Sequence, residues 1–239
     1  MSNLWHILYS DAVAAEQTML ECDFIERCIP VATHPRLLDL ACETGRHSLA
    51  LAARGYTVTG VDMDPRALHV ARDRAAELGV EVDFIEADLH DLENPDRSFD
   101  GIILFWQSFG FFSNEAQSGL FTGIHRILRP GGILMLDLFN RLYYTHGKGT
   151  APFASGTVPR PSAWSEIERI TSMLGYEDDR SLDERRMLDL LDPHLFTLGE
   201  IAGIAHNHGL HLLLSSSQYT ADSPATAEHP KMQIVFRRI

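Results

Sequence analysis

The sequence lacks a long apolar run. No stretch reaches the roughly 18 residues that a membrane-spanning helix needs. Its start, Met1-Ser2-Asn3-Leu4-Trp5, has no basic region ahead of an apolar one, so no secretory signal is expected and a cytoplasmic setting is. Cysteine is scarce: Cys22, Cys28 and Cys42 form no C-x-x-C pair and are odd in number. That argues against a disulfide framework and fits a reducing compartment. Positive charge is short too. Twenty Lys and Arg stand against 33 Asp and Glu, a formal net charge of −13. Gripping a phosphate backbone takes Lys and Arg laid along it, so neither a nucleic-acid nor a membrane partner is expected. Internal repeats and low-complexity tracts are absent.

What remains is ordinary for a globular chain. The 239 residues are 45% hydrophobic and 22% charged, enough for a single α/β domain with a sizeable core. Residues 11–28 read as a helix, and Pro30 and Pro35 bracket a loop. A regular alternation then begins. Strands are expected at 37–41, 56–62, 80–87, 99–106 and 133–139, the last entered through the turn Pro130-Gly131-Gly132. Helices are expected at 46–54, at 64–78 with Asp64 as N-cap and Pro65 in the first turn, and at 114–128. Strands alternating with helices at this pitch imply parallel β-α-β units, hence a Rossmann-like sheet with helices on both faces. After Asn140 the rhythm breaks. Residues 145–163 read as loop, and 164–174 with 184–191 read as a hairpin laid over the core. Thr197 caps a helix that Gly209 ends, and two strands follow at 210–218 and 231–237, completing seven.

Ligands of open parallel sheets bind outside the carboxyl ends of the strands. After the first strand comes Asp39-Leu40-Ala41-Cys42-Glu43-Thr44-Gly45, a tight turn of mostly small residues that lets backbone approach a ligand. After the second comes Asp62, whose carboxylate can accept both hydrogen bonds of a ribose diol. After the third comes Asp88, able to accept from an exocyclic amine such as that of adenine. After the fourth comes the aromatic segment from Phe105 to Phe112, suited to walling a substrate pocket. Each piece alone is more often a helix cap or a solvated residue. Their succession after four consecutive strands is far more specific.

These residues resemble class I S-adenosylmethionine (SAM)-dependent methyltransferases. Members show D-x-G-x-G-x-G after the first strand, an acid ending the second, an acid after the third, and an R-P-G-G turn, here Arg129-Pro130-Gly131-Gly132. The resemblance covers roughly residues 5 to 238, and Ser108 to Phe112 with Phe196-Thr197-Leu198 look like the small-molecule branch. It implies one domain over 1–239, with an N-terminal helical lid at 1–30 and a substrate-side insertion at 140–196. It further implies a monomer or homodimer that binds SAM and releases S-adenosylhomocysteine (SAH). By position, Asp39, Ala41, Cys42, Glu43 and Gly45 would wrap the methionine part of SAM. Asp62 would hold the ribose hydroxyls, Met63 would lie against adenine, and Asp88 and Leu89 would meet its edge. Phe105 would sit near the sulfonium, with Trp5, Gln107, Phe109 and Tyr143 on the substrate side.

The chain departs from the family at Ala41 and Glu43, where Gly is usual. A non-Gly residue is strained if the position needs φ > 0. Catechol-type O-methyltransferases also carry a bulky residue at the position of Glu43. Either Glu43 is solvated or pairs with Arg46, or its carboxylate faces the cationic end of SAM.

Methyl transfer from a sulfonium is an in-line displacement with the nucleophile held about 3–3.5 Å from the methyl carbon. A base is needed only if the nucleophile enters protonated. His146, beyond the fifth strand, and Tyr9, in the lid, are the candidates, each set against a plain loop or packing role. His206, His208 and His211 lack a third ligand at sensible spacing, so no metal site is expected. The expected function is methyl transfer to O, N or S of a small molecule, secondary-metabolite intermediates included. A non-catalytic SAM-binding relative and an NAD-type Rossmann oxidoreductase are the alternatives. The latter wants G-x-G-x-x-G for a pyrophosphate, whereas an acid in this turn opposes a pyrophosphate and tolerates a sulfonium.

Overall fold

The computed structural model describes residues 15–89, 99–105, 109, 114–145 and 195–239. In chain order the elements are α1 (Ala15–Cys28), β1 (Arg36–Leu40), α2 (Arg46–Ala52), β2 (Thr57–Asp62), α3 (Pro65–Leu78), β3 (Val82–Glu86) and β4 (Phe99–Leu104), then α4 (Asn114–Ile127), β5 (Leu128–Phe139), α5 (Arg141–Thr145), α6 (Leu198–Asn207), β6 (Leu210–Ser216) and β7 (Lys231–Arg238).

Local chemistry sets several boundaries. Asp64 caps α3, its side chain accepting from the Arg66 N–H at 3.0 Å, with Pro65 in the first turn and Gly79 in the left-handed region at the far end. Thr197 and Glu200 form a reciprocal capping box at α6. The helix α5, in a stretch to which the sequence reading assigned no element, starts where the Asn140 side chain accepts from the Leu142 N–H at 3.2 Å.

All seven strands join one sheet in the order β3-β2-β1-β4-β5-β7-β6. The first five are parallel to their neighbours, and β7 runs antiparallel to both β5 and β6. The order reverses between β1 and β4, which opens a crevice at their carboxyl ends.

Side-chain alternation divides the core. Leu38, Leu40, Ile102, Leu104, Leu134, Leu136, Ile234 and Phe236 face α4 and α6, meeting Phe121, Ile124 and Ile201. Leu37, Ile103, Ile133, Met135 and Val235 face the other way, toward Phe24 and Ile25 of α1 and Leu51 of α2. Both faces are thus covered, as near-continuous apolar parallel strands require.

One boundary differs from expectation. β5 begins at Leu128, so Pro130-Gly131-Gly132 lies within the strand and not ahead of it. Phe99 pairs with Leu128 before the register shifts, and Gly131 absorbs the irregularity at φ 78°. Arg129 anchors the segment through an ion pair to Asp100 at 3.0 Å and a hydrogen bond to the Thr33 carbonyl at 2.7 Å. The hairpin expected at 164–191 and the first fourteen residues of the lid lie outside the described residues.

Candidate cofactor site

The crevice is framed by the turn between β1 and α2 and by the end of β2. Asp62 organises both. Its Oδ2 accepts the Glu43 N–H and its Oδ1 accepts the Asp64 N–H, each at 2.9 Å. One carboxylate therefore holds two neighbouring loops in register. The Cys42 N–H donates to the Val61 carbonyl at 3.0 Å, which ties the turn to β2 a second time. Gly45 closes the turn at φ 78°, and a Cβ there would lie 2.8 Å from the Phe84 ring. Glycine is required at that position on both counts.

Ala41 and Glu43 also sit in the left-handed region, at φ 55° and 51°. These are the two positions at which the resembled motif carries Gly. Holding a residue with a Cβ there costs about 1 kcal/mol or more each. The turn keeps the glycine-type backbone path without the glycines.

The surrounding electrostatics are acidic. Burial raises the Asp62 carboxyl pKa, and the Asp64 and Glu43 N–H groups offset only part of the effect. Asp39 is buried beneath the turn, where Ser48 donates to it at 2.6 Å. Burial raises its pKa also, against the opposing pull of His47 and Ser48. Glu21 of α1 is fully buried, bound by Arg46 at 2.5 Å and His47 at 2.8 Å. Burial alone would raise its pKa, but His47 and Arg46 prevail and hold it well below the usual carboxylate range.

The expected site residues divide. Ala41, Glu43, Gly45, Asp62 and Met63 come together at the crevice, with Met63 71% exposed beside Asp62. Asp88 is exposed just past the end of β3, and Leu89 is buried against the α4 and α6 side of the core. The Cys42 side chain packs with Leu49, Leu68 and Phe84 under α3, so it is the backbone of Cys42 that belongs to the turn. Phe105 directly follows β4, and its ring is buried, edge-on to His47 at 4.9 Å and stacked on Tyr219 at 6.4 Å. Phe109 is a correction. It is fully buried between Phe121 and Phe196 and so is core, not pocket wall. Tyr143 lies half-buried on α5. Trp5, Tyr9, Gln107 and His146 lie outside the described residues. No group of metal-ligating side chains forms among the described residues. A cavity of about 690 Å³, bordered by Arg36, Thr57 and Val82, opens at the amino ends of the strands, away from this crevice.

Sequence reasoning missed Ser48, Glu21, Asp137 and Tyr219. A usable signal existed for one of them: Asp137 is an acid inside the otherwise apolar run from Ile133 to Phe139.

The residues fit an adenosyl group. Each Asp62 oxygen takes one backbone N–H, and a carboxylate has about four acceptor sites, which leaves acceptors for a diol. An apolar, exposed Met63 flanks it, and the acids around it favour a cation over a pyrophosphate.

This strand order, with its reversed β7 and its acid-anchored turn, defines the fold of SAM-dependent methyltransferases. The family comparison agrees: residues 37–132 match the model of a methyltransferase domain. A demethylmenaquinone methyltransferase of Clavibacter sepedonicus is 31% identical over 181 residues, 67% of this chain and 72% of that one. One of Thermus thermophilus is 34% identical over 133 residues, 52% of this chain and 59% of that one. Several curated relatives are matched over only about half their length. Among solved structures, the CcbJ methyltransferase of Streptomyces caelestis shares the fold with a TM-score of 0.69 at 16% identity, covering 96% of this chain and 98% of that one. The chain belongs to the class I SAM-dependent methyltransferases, whose cofactor is SAM.

Proposed function

We propose that this protein transfers a methyl group from SAM to a small molecule, with the cofactor lying across the carboxyl ends of β1, β2 and β3. One observation supports the placement: Asp62, at the carboxyl end of β2, is fixed by two backbone N–H groups, and its two oxygens keep further acceptor capacity. In this reading Asp62 takes the ribose hydroxyls, and Met63 and Leu89 flank adenine with Asp88 at its amino edge. The turn from Asp39 to Gly45 holds the methionine part. Phe105 acts from beneath, as packing that fixes the end of β4.

The acceptor is proposed to be bulky and partly aromatic. Two of the relatives are named for demethylmenaquinone, a substrate of that description. Methylation at O, N or S and a role in secondary metabolism belong to the same proposal, as do a cytoplasmic setting and a monomer or homodimer. No described helix is long and apolar enough to cross a membrane.

The test has two stages. Titration calorimetry with SAH and with NAD separates this reading from an oxidoreductase: SAH should bind and NAD should not. An SAH-release assay over a panel of quinols, phenols, amines and thiols should then give turnover with at least one aromatic acceptor. NAD binding without SAH binding would overturn the assignment.

A further inference from the structure

His47 has one ring nitrogen in use and one open. It is the second residue of α2, two positions past the glycine that closes the cofactor turn. Its Nε2 lies 2.8 Å from a Glu21 carboxylate oxygen, and only 8% of its side chain is exposed. Burial alone would raise the Glu21 pKa, but His47 and Arg46 prevail and keep that carboxyl ionised at neutral pH. An ionised carboxylate only accepts hydrogen bonds. The proton of a neutral His47 therefore sits on Nε2, and Nδ1 carries a lone pair.

No hydrogen-bond partner meets Nδ1 among the described residues. Nor is it sealed off, because the buried side-chain nitrogens and oxygens without a partner there are Thr44 Oγ1 and Arg238 Nε. The surroundings say what can reach it. Ser48, the next residue, donates to Asp39 of β1 at 2.6 Å. The His47 ring itself is edge-on to Phe105, directly after β4, at 4.9 Å. The imidazole thus stands between the carboxyl ends of β1 and β4, where the strand order reverses. Asp39 and Asp62 make this crevice acidic, and Arg46 already balances Glu21. A cationic donor suits the place better than an anion.

We infer that His47 contacts the cofactor, its Nδ1 accepting an N–H of the ammonium group in the methionine part of SAM, and that Glu21 is a positioning residue that fixes the His47 proton on Nε2. The inference rests on the cofactor placement proposed above. It brings α1 into the cofactor site through a carboxylate that acts from behind the contact. SAM and SAH both carry the ammonium group, so the contact anchors substrate and product alike.

The experiment combines spectroscopy with calorimetry on the full chain. Long-range proton–nitrogen correlation spectra, with the His47 signals assigned by their loss in His47→Gln, report the tautomer. Wild type should show Nε2–H. Its Nδ1 signal should move on addition of SAH and stay in place with methylthioadenosine, which keeps the adenosine and thioether and lacks the amino acid. Calorimetry then compares the two ligands. His47→Gln can keep the Glu21 contact but has no acceptor at the Nδ1 position, so the SAH-to-methylthioadenosine affinity ratio should fall about tenfold. His47→Asn, whose amide oxygen can take the Nδ1 place, should lose less. Glu21→Gln should mix the tautomers and give an intermediate ratio. An Nδ1–H tautomer in wild type, an Nδ1 signal indifferent to SAH, or equal ratios in wild type and His47→Gln would overturn the His47 contact. Wild-type tautomer and ratio in Glu21→Gln would overturn the role of Glu21. Failure of both SAH and methylthioadenosine to bind wild type would overturn the cofactor placement instead.

Discussion

Replacing Asp62 by Asn is the sharpest perturbation of the cofactor site, because the wild-type carboxylate does two jobs that an amide cannot do at once. Both oxygens accept backbone N–H groups, from Glu43 and Asp64. An Asn has one oxygen, so one of those N–H groups must face an NH2. Leaving a part-buried donor unmatched costs about 1–3 kcal/mol. In a domain of this size each kcal/mol shifts the melting temperature by about 2–4 °C, so the ligand-free variant should melt roughly 2–12 °C below wild type. Loss of a charged acceptor for the ribose diol adds a separate penalty of about 1–3 kcal/mol, a five- to 150-fold weaker SAH affinity. Calorimetry with SAH measures the second effect, and thermal unfolding without ligand measures the first. Asp62→Ala should weaken SAH similarly. If affinity holds within twofold while stability falls, Asp62 is a loop staple only and the ribose lies elsewhere.

Gly45→Ala should destabilise the fold by about 2 kcal/mol or more, since φ is 78° and the added Cβ meets the Phe84 ring at 2.8 Å; Phe84→Leu should restore only the steric part in a denaturant titration. Glu21→Gln should cost about 2 kcal/mol near neutral pH, because Arg46 and His47 lose a buried partner. The Glu21 pKa is lowered on folding, so its contribution is present above the ordinary value of 4.5 and fades as pH falls below it; the wild-type advantage in melting temperature should narrow in acid. Tyr219→Phe should cost about 1 kcal/mol at neutral pH for the lost hydrogen bond to Asp137. Burial, with the charges of Asp137 and Glu21, raises the Tyr219 pKa, so that contribution is present below the ordinary value of 10 and is lost as pH rises above it. The variant should accordingly be the less alkali-sensitive of the two.

The parts of the fold written in local chemistry were legible. Asp64-Pro65 and Thr197 mark helix starts because each satisfies backbone groups within a few residues of itself. The acids Asp62 and Asp88 were legible as strand-end residues because the alternation fixes where strands stop. The misses depend on distant partners. β5 starts early because Phe99, far back in the chain, pairs with Leu128. Phe109 is core because Phe121 and Phe196 close over it, and composition alone does not tell a wall from a core. Glu21 looks like an exposed helix acid, yet it is buried by Arg46 and His47 arriving on α2. Gln218 and Tyr219, at φ 57° each, give no glycine to announce their turn.

These distant partners share one place in the fold. By strand parity Asp39, Phe105, Asp137 and Gln233 lie on the face toward α1 and α2, one step beyond the apolar layer of Leu37, Ile103, Met135 and Val235, with Lys231 one step further. The face therefore turns from apolar to polar as it reaches the carboxyl edge. Its polar groups satisfy one another. Asp137 accepts from Gln233 at 2.8 Å and from Tyr219 and Lys231 at 3.2 Å each, and Arg27 of α1 donates to the Tyr219 carbonyl at 2.9 Å. Tyr219 in turn stacks on Phe105, which meets His47, which binds Glu21. A chain of contacts thus runs from β7 to α2 and α1, beside the turn between β1 and α2. Buried polar groups that are fully matched stiffen their surroundings, and a methyl transfer needs two ligands held in line. The left-handed turn at Tyr219 is reasonable in that light: it places one ring on Phe105, which ties β7 to His47 of α2 through a continuous row of contacts.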